Sequence, residues 1–229
     1  MQKFIIMGVQ GCGKGTQAKM LCQDFDLVHI CVGDVFRWHI QSHTKMAARI
    51  NRIMAAGNLV PDDIVEEVVK SRLDLHDWNF GFVLDGFPRN HHQAEFFLES
   101  YDIDAVIHID VPDEVVIERL QNRRLCSRCG LDYNLIYCRP AANLVCDVCK
   151  GALIARFDDT PDAVRSRMRD YHGKTAPILD LFRKKELVIS IDGTAPPPDI
   201  QTEIRRKLSL KVPPKTSSKV QAIAAAAAG

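Results

Sequence analysis

The segment GVQGCGKGT at residues 8–16 decides the fold of this chain. It follows the apolar run KFIIM at residues 3–7, which predicts a buried strand, and it leads into a helical pattern at about 14–25. Glycines at such a junction let backbone N–H groups approach an anion closely, and the positive end of the helix dipole favours phosphate. The segment therefore predicts a phosphate-binding loop between a strand and a helix.

Two side chains of this loop carry chemistry that phosphate groups need. Lys14 supplies a mobile positive charge for β- and γ-phosphates, and Thr16 supplies a hydroxyl near the metal and the phosphates. The strict pattern places Ser or Thr directly after the lysine, whereas Gly15 intervenes here. A glycine-rich turn without a ligand is the alternative, but the strand, the glycine spacing, the lysine and the helix agree in predicting a triphosphate site.

Further strand patterns alternate with helical patterns along the chain. The strands are expected at residues 28–30, 80–84, 105–111 and 187–191. With the first strand they predict an α/β fold, a five-stranded parallel sheet with helices on both faces. Two stretches, 31–61 and 124–160, break the alternation and are predicted to be inserted lobes. The core is expected at residues 1–30, 62–123 and 161–211, followed by a disordered or frayed tail at 212–229.

The composition limits the class of partner and the compartment. The chain has 229 residues and a net charge of +1, which does not call for nucleic acid or an anionic membrane. No apolar run approaches the roughly 18–20 residues that a membrane helix needs. No signal or transit peptide is recognised, so we expect a cytoplasmic protein. Paired cysteines in a reducing compartment suggest a metal before a disulfide.

Four of the eight cysteines form two CxxC pairs. Cys126 and Cys129 make the first pair, and Cys146 and Cys149 make the second. This spacing predicts a tetrahedral four-thiolate zinc site with a structural role. The segment around it is too small for a good core, so the metal would stabilise it. Metal-free reduced cysteines or a disulfide remain the alternatives. The other cysteines are predicted to be free: Cys12, Cys22, Cys31 and Cys138.

Several segments resemble the adenylate kinase family. The phosphate loop of that family also has a glycine between the lysine and the threonine, as Gly15 lies between Lys14 and Thr16 here. Three more segments are similar in order: GDVFR at 33–37, GNLVP at 57–61 and DGFPR at 85–89. The resemblance covers about residues 1–209. It implies a P-loop nucleoside monophosphate kinase of the long-lid type with a zinc-binding lid. Such an enzyme transfers the terminal phosphoryl group of Mg²⁺-bound ATP to AMP, giving two ADP and maintaining adenine nucleotide balance.

The resemblance also implies roles for individual residues. Asp85 is expected to orient Mg²⁺ through water, Arg119 to stack on the base of ATP, and Gln93 to read the adenine of AMP. The catalytic set is Lys14, Asp85, Arg89, Arg123, Arg156 and Arg167. The ATP site is Gly11, Cys12, Gly13, Lys14, Gly15, Thr16, Arg119, Arg123, Asp132 and Tyr133. The AMP site is Val32, Arg37, Asn58, Leu59, Val60, Gly86, Phe87, Pro88, Arg89, Gln93, Arg156 and Arg167.

Two positions depart from the family pattern. The family usually has Thr or Ser before Gly33, where its hydroxyl contacts the AMP base, and this chain has Val32. That base contact therefore does not carry over unchanged. Gln10 replaces the usual Pro or Gly within the phosphate loop, and we expect the replacement to be tolerated.

Three alternative functions stay open at this point. A UMP/CMP kinase of the same fold is one, although its relatives usually place Asn where this chain has Gln93. A GTP:AMP phosphotransferase is the second. The third, of another class, is a zinc-ribbon nucleic-acid-binding protein whose phosphate loop is a regulatory switch. It predicts clustered basic and aromatic residues, whereas 7% of the residues are aromatic. We expect nucleotides as the only partners, no nucleic acid, no membrane, and a monomer.

Overall fold

The computed structural model describes residues 2–185 and 187–210. Its first half contains β1 (Lys3–Met7), α1 (Lys14–Phe25), β2 (Val28–Cys31), α2 (Val32–Gln41), α3 (Ala47–Ala55), α4 (Asp62–Asp74), β3 (Phe82–Asp85), α5 (His91–Ser100) and β4 (Ala105–Asp110). Its second half contains α6 (Asp113–Gln121), β5 (Arg123–Cys126), β6 (Asp132–Asn134), β7 (Leu153–Ile154), α7 (Pro161–Asp170), a π-helical turn (Tyr171–Thr175), α8 (Ile178–Arg183), β8 (Val188–Asp192) and α9 (Pro197–Lys207).

Five strands form a parallel sheet in the order β2-β3-β1-β4-β8. The predicted fold class, an α/β protein with a five-stranded parallel sheet, is confirmed. Several strand boundaries differ from the predicted ones by one or two residues; the third strand, for example, begins at Phe82 rather than at residue 80. The last helix, α9, begins at Pro197. Proline tolerates the first helical turn because the N–H that it lacks would have no helical partner there.

The side chains of β1 show why helices cover both faces of the sheet. Ile5 and Met7 pack into one apolar cluster with residues of α2–α5 and α8. Phe4 and Ile6 pack into a second cluster with residues of α1, α6 and α9. Alternate residues of a strand point to opposite faces, so a continuous apolar run needs cover on both sides. The predicted helices on both faces are thereby confirmed.

The cysteine-rich segment contains strands that the sequence did not predict. β5, β6 and β7 form a small antiparallel sheet in the order β6-β5-β7. Each has between two and four residues, which is too short for a recognisable alternation of apolar and polar residues. The buried cluster beside this sheet consists of Cys126, Tyr133, Cys146 and Leu153.

The region after this segment contains a capped helix, α7, followed by two elements that the sequence did not predict. Thr160 caps α7, with its hydroxyl oxygen accepting a 3.3 Å hydrogen bond from the N–H of Ala163. The π-helical turn and α8 were not predicted, because Pro177 suggests an end to helical structure. The predicted tail at 212–229 lies outside the described residues. Among those described, no helix has the length and apolar character required to cross a membrane.

Candidate active site

A cleft of about 740 Å³ opens where β1 and β3 end. In open α/β sheets, ligands bind outside the carboxyl ends of the parallel strands, and this cleft is in that position. Its walls come from the phosphate loop, from the segments around Val32 and Asn58, and from the segment after β3. The predicted lid, residues 124–160, contributes Leu131–Asn134, Tyr137, Cys138, Arg156 and Asp158. Every residue predicted for the catalytic, ATP and AMP sites lines this one cleft.

The phosphate loop has the backbone that its glycines require. Gly8 has φ 149°, and a Cβ there would lie 2.4 Å from the carbonyl oxygen of Ile109. Gly13 caps α1 in a left-handed conformation with φ 103°. The ammonium group of Lys14 donates hydrogen bonds to the carbonyl oxygens of Gly8 at 2.6 Å and Val9 at 2.8 Å. Its positive charge is therefore held above the loop, beside the N-terminus of a helix, where phosphate would bind.

Three of the predicted arginines are held by two neighbouring carboxylates. Arg123 donates two hydrogen bonds to Asp159, at 2.8 and 2.6 Å. Arg156 donates two to Asp158, at 3.1 and 3.0 Å, and Arg167 adds one to Asp158 at 2.8 Å. Burial by itself would raise the pKa of Asp158, but the charges of Arg156 and Arg167 outweigh it and hold that pKa well below its usual range. The ion pairs orient the guanidinium groups before any ligand binds.

Gln10 joins this network from the phosphate loop. Its amide nitrogen donates to Asp159 at 3.0 Å, and its amide oxygen accepts from Arg167 at 2.8 Å. From the sequence, Gln10 was expected only to be a tolerated departure from the family pattern. No local signal could have shown its partners, because they lie 149 and 157 positions away along the chain.

Arg89 has no carboxylate partner in the part of the chain described here. Its Nε donates to the carbonyl oxygen of Gly86 at 2.8 Å, and its own carbonyl oxygen accepts from the hydroxyl of Thr175 at 2.7 Å. Burial, together with the charge of Arg167, lowers the pKa of Arg89 below its usual value. A buried cation without a carboxylate partner favours the approach of an anion.

The side chain of Gln93, which is predicted to bind adenine, forms hydrogen bonds to protein groups. Its amide oxygen accepts from the N–H of Arg89 at 2.8 Å, and its amide nitrogen donates to Asp62 at 2.7 Å. One amide hydrogen and one lone pair remain beyond these two bonds. Nearby, Arg37 is paired with Asp34. Val32 is buried at the start of α2 within an apolar cluster.

On the other side of the cleft, the lid segment contacts the core. Arg119 donates to the carbonyl oxygens of Cys12 at 3.2 Å and Gly193 at 2.9 Å, and its guanidinium lies 5.4 Å from the ring centre of Tyr137. Asp132 forms a 3.2 Å ion pair with Lys19. Tyr137 was not predicted, because an isolated tyrosine outside any motif gives no signal of its own.

The four paired cysteines converge as predicted. Their sulfur atoms all lie within 4.8 Å of one another, and the closest pairs are Cys126–Cys149 at 3.3 Å and Cys129–Cys146 at 3.6 Å. A disulfide would need about 2.05 Å. A tetrahedral zinc ion with bonds of about 2.3 Å sets its sulfur ligands about 3.8 Å apart. The cluster therefore fits a four-thiolate metal site.

Tyr133 lines the cleft and also contacts the cysteine cluster. Its hydroxyl donates to the sulfur of Cys146 at 3.5 Å and accepts from the N–H of Asp147 at 2.8 Å. Hydrogen bonds from the N–H of Cys149 and from the Tyr133 hydroxyl lower the pKa of Cys146 to about 6. Groups that donate to a sulfur favour its thiolate form, which is the form that binds metal.

A phosphate loop on a parallel sheet, with several arginines and a carboxylate facing it, defines a P-loop phosphotransferase. Comparisons with known proteins identify the family. The adenylate kinase family model matches residues 6–187. The chain is 40% identical over 214 residues to an adenylate kinase of Caldicellulosiruptor bescii, covering 91% of this chain and 100% of that protein. It is 42% identical over 200 residues to an adenylate kinase of Thermotoga neapolitana, covering 85% and 91%.

A third relative, an adenylate kinase of Acetivibrio thermocellus, is 36% identical over 212 residues, which are 90% of this chain and 98% of that protein. The family-model match at residues 6–187 spans the phosphate loop, the arginines and the cysteine pairs of this chain. The chain belongs to the adenylate kinase family and is a nucleoside monophosphate kinase.

Proposed function

We propose that the protein transfers the terminal phosphoryl group of ATP to AMP, reversibly and with Mg²⁺, to give two ADP. One observation carries the proposal: Lys14, Asp85 and the arginines Arg89, Arg123, Arg156 and Arg167 line a single cleft beside the phosphate loop. The three relatives described above are named adenylate kinases, which supports ATP and AMP as the substrates.

The acceptor is proposed to bind between residues 31–61 and the segment after β3. Arg37 and Arg89 would hold the AMP phosphate, because a planar guanidinium matches phosphate oxygens in two places. The backbone of Asn58–Val60 and of Gly86–Pro88 would border the nucleoside. Gln93 would read the adenine with the hydrogen and lone pair that its protein partners leave free.

The donor is proposed to bind between the phosphate loop and the lid segment. The N–H groups of residues 11–16 would surround the β- and γ-phosphates, and Lys14 would leave its carbonyl partners for a phosphate oxygen. Arg119 would stack on the base of ATP, with Asp132 and Tyr133 bordering it.

Phosphoryl transfer depends on position and positive charge more than on acid–base chemistry. Arg123, Arg156 and Arg167 would meet the oxygens of the moving group, and their present carboxylate partners keep them oriented until it arrives. Asp85 is proposed to hold Mg²⁺ through water. When bound, Mg²⁺ neutralises phosphate charge and fixes the phosphate oxygens in place. Closure of the lid over the donor would exclude water as a competing acceptor.

The four lid thiolates are proposed to hold a structural Zn²⁺. The sulfur separations and the groups that donate to the sulfurs support this ligand set. The division into a core, an acceptor lobe at 31–61 and a lid at 124–160 is part of the same proposal. We also propose a cytoplasmic monomer, since thiolate ligands persist in a reducing compartment.

An assay across AMP, CMP, UMP and GMP, each with ATP or GTP as donor, tests the proposal. We expect AMP with ATP to give the highest kcat/KM. A preference for GTP or for a pyrimidine acceptor would contradict the assignment of ATP and AMP as the substrates. Absence of transfer with every pair would contradict phosphotransferase activity. Binding to single-stranded DNA or RNA by a protein without transfer would favour the nucleic-acid-binding alternative.

A further inference from the structure

A second group of possible metal ligands lies at the edge of the cleft. His29 and Cys31 are two positions apart on β2, so their side chains point to the same face of the sheet. Cys31 pairs in register with Asp85 of the neighbouring strand β3. The three ligand atoms lie within 4.8 Å of one another, and Nε2 of His29 is 3.4 Å from Oδ2 of Asp85. The sheet itself therefore brings an imidazole, a thiol and a carboxylate together.

This combination of ligands suits zinc. Zn²⁺ takes histidine nitrogen, cysteine sulfur and carboxylate oxygen at about 2.0–2.3 Å, so neighbouring ligand atoms of a tetrahedral site lie about 3.3–3.8 Å apart. The observed 3.4 Å separation fits that spacing without rearrangement. Three protein ligands leave the fourth position open, as in sites that exchange their ion or bind a further ligand.

The surroundings of Cys31 contain charges of both signs. The carboxylates of Asp34 and Asp85 lie close to the thiol and favour a cation, whereas the guanidinium of Arg37 opposes one. Arg89, which is also near Asp85, opposes it as well. The side chains of His29 and Asp85 are 18% and 9% exposed, so an ion can reach them from the cleft. We expect weaker binding here than at the four-thiolate site.

We propose that His29, Cys31 and Asp85 bind a second Zn²⁺ beside the phosphate loop, and that this ion inhibits the enzyme by engaging the Asp85 carboxylate. A Cβ built on Gly15 would lie 3.5 Å from Oδ2 of Asp85, which places the group directly against the loop. Inhibition rests on the proposed function, since it follows from the role given to Asp85. Binding of the ion does not depend on that role.

Zinc binding is measured on the full chain with its lid zinc in place. The protein is dialysed against increasing Zn²⁺ in a buffer with a phosphine reductant, and bound metal is determined by mass spectrometry. We expect the parent protein to bind a second equivalent of zinc. His29→Asn and Cys31→Ser should each lower the affinity for this second ion by at least about tenfold, the scale on which metal sites respond to altered ligands. Cys22→Ser, a thiol-to-hydroxyl change in α1 outside the group, should retain it. Loss of the second equivalent in Cys22→Ser as well, or its absence from the parent protein, would overturn the site.

Alkylation of the unsubstituted protein gives a readout that needs no variant. Zn²⁺ should slow the reaction of Cys31 with iodoacetamide, followed by peptide mass spectrometry, and leave the rate at Cys22 unchanged. Equal rates at Cys31 with and without Zn²⁺ would contradict the site.

Inhibition is measured as the Zn²⁺ concentration that halves the transfer rate, with the rate of each variant before zinc addition as its own baseline. Cys31→Ser should require at least about tenfold more zinc than the parent, and Cys22→Ser should behave as the parent does. Equal sensitivity of all three proteins would refute inhibition through this site. A parent protein that binds the second ion but transfers no phosphoryl group would refute the proposed function and leave the metal site standing.

Discussion

Gln10 offers the sharpest test of how the cleft is organised. It connects Asp159 to Arg167 through two hydrogen bonds, each of which has a charged partner. Substituting alanine removes both bonds and leaves the backbone of the loop in place. If Arg167 acts on the moving phosphoryl group, loosening it should reduce the rate of the chemical step more than the binding of ATP.

The size of the effect follows from what remains in the network. A hydrogen bond to a charged group contributes about 1.5–3 kcal/mol when it is lost without replacement. Arg167 keeps its 2.8 Å bond to Asp158, and Asp159 keeps both bonds to Arg123, so the loss is partial. We expect Gln10→Ala to raise the barrier by about 1–2 kcal/mol, which lowers kcat roughly fivefold to thirtyfold. The KM for ATP should change little.

The assay couples ADP formation to NADH oxidation and is run for Gln10→Ala, Arg167→Lys and the double variant. If Gln10 acts through Arg167, the double variant should be little worse than Arg167→Lys alone. Thermal melting checks that each protein folds. Wild-type kcat in a folded Gln10→Ala protein, or fully additive losses in the double variant, would refute the proposed coupling.

The other predictions concern separate parts of the molecule. Lys14→Ala should lower kcat at least about a hundredfold with an unchanged melting temperature; a folded variant with normal turnover would contradict its role. Cys129→Ser should lose zinc in metal analysis and melt at a lower temperature, since metal binding contributes folding free energy; zinc-free parent protein would contradict this. Val32→Thr should lower the KM for AMP about threefold to tenfold, and Gln93→Ala should raise it. An unchanged KM for AMP in both variants would contradict the proposed position of the AMP pocket. The lowered pKa of Asp158 means that its ionised form stabilises the fold fully above about pH 4 and that this stability is lost progressively as the pH falls toward the lower pKa of the folded state. The destabilisation by Asp158→Asn should therefore be largest near pH 7 and shrink steadily as the pH is lowered from about 4 toward about 2, as measured by denaturant unfolding.

The sheet could be predicted from the sequence because its strands are buried on both faces. KFIIM at residues 3–7 is apolar without interruption, and β1 shows why: consecutive side chains enter opposite apolar clusters. The lid strands could not be predicted in the same way. These strands pack on a cysteine-containing cluster and pair with neighbours distant in sequence, and neither leaves a periodic pattern in segments of two to four residues.

The sequence pointed to residues that share one cleft, but it did not show the contacts among them. The motifs named the residues, and the structure brings all of them to one cleft. The partners of Gln93 and Gln10 depend on how separate elements meet, so they could not be read from local spacing. Gln93, predicted to read the adenine of AMP, also binds Asp62 and the backbone of Arg89.

These contacts suggest how the cleft stays folded while it carries so much positive charge. Asp158 and Asp159 neutralise Arg123, Arg156 and Arg167 in part, and Lys14 rests on backbone carbonyl oxygens. Arg89 has a backbone carbonyl partner in Gly86 but no carboxylate partner in the described structure, and burial beside Arg167 lowers its pKa. Nucleotide phosphates would relieve that repulsion, which favours binding of the substrate. Because the carboxylates hold the other arginines in place beforehand, little reorganisation is needed when the phosphates arrive.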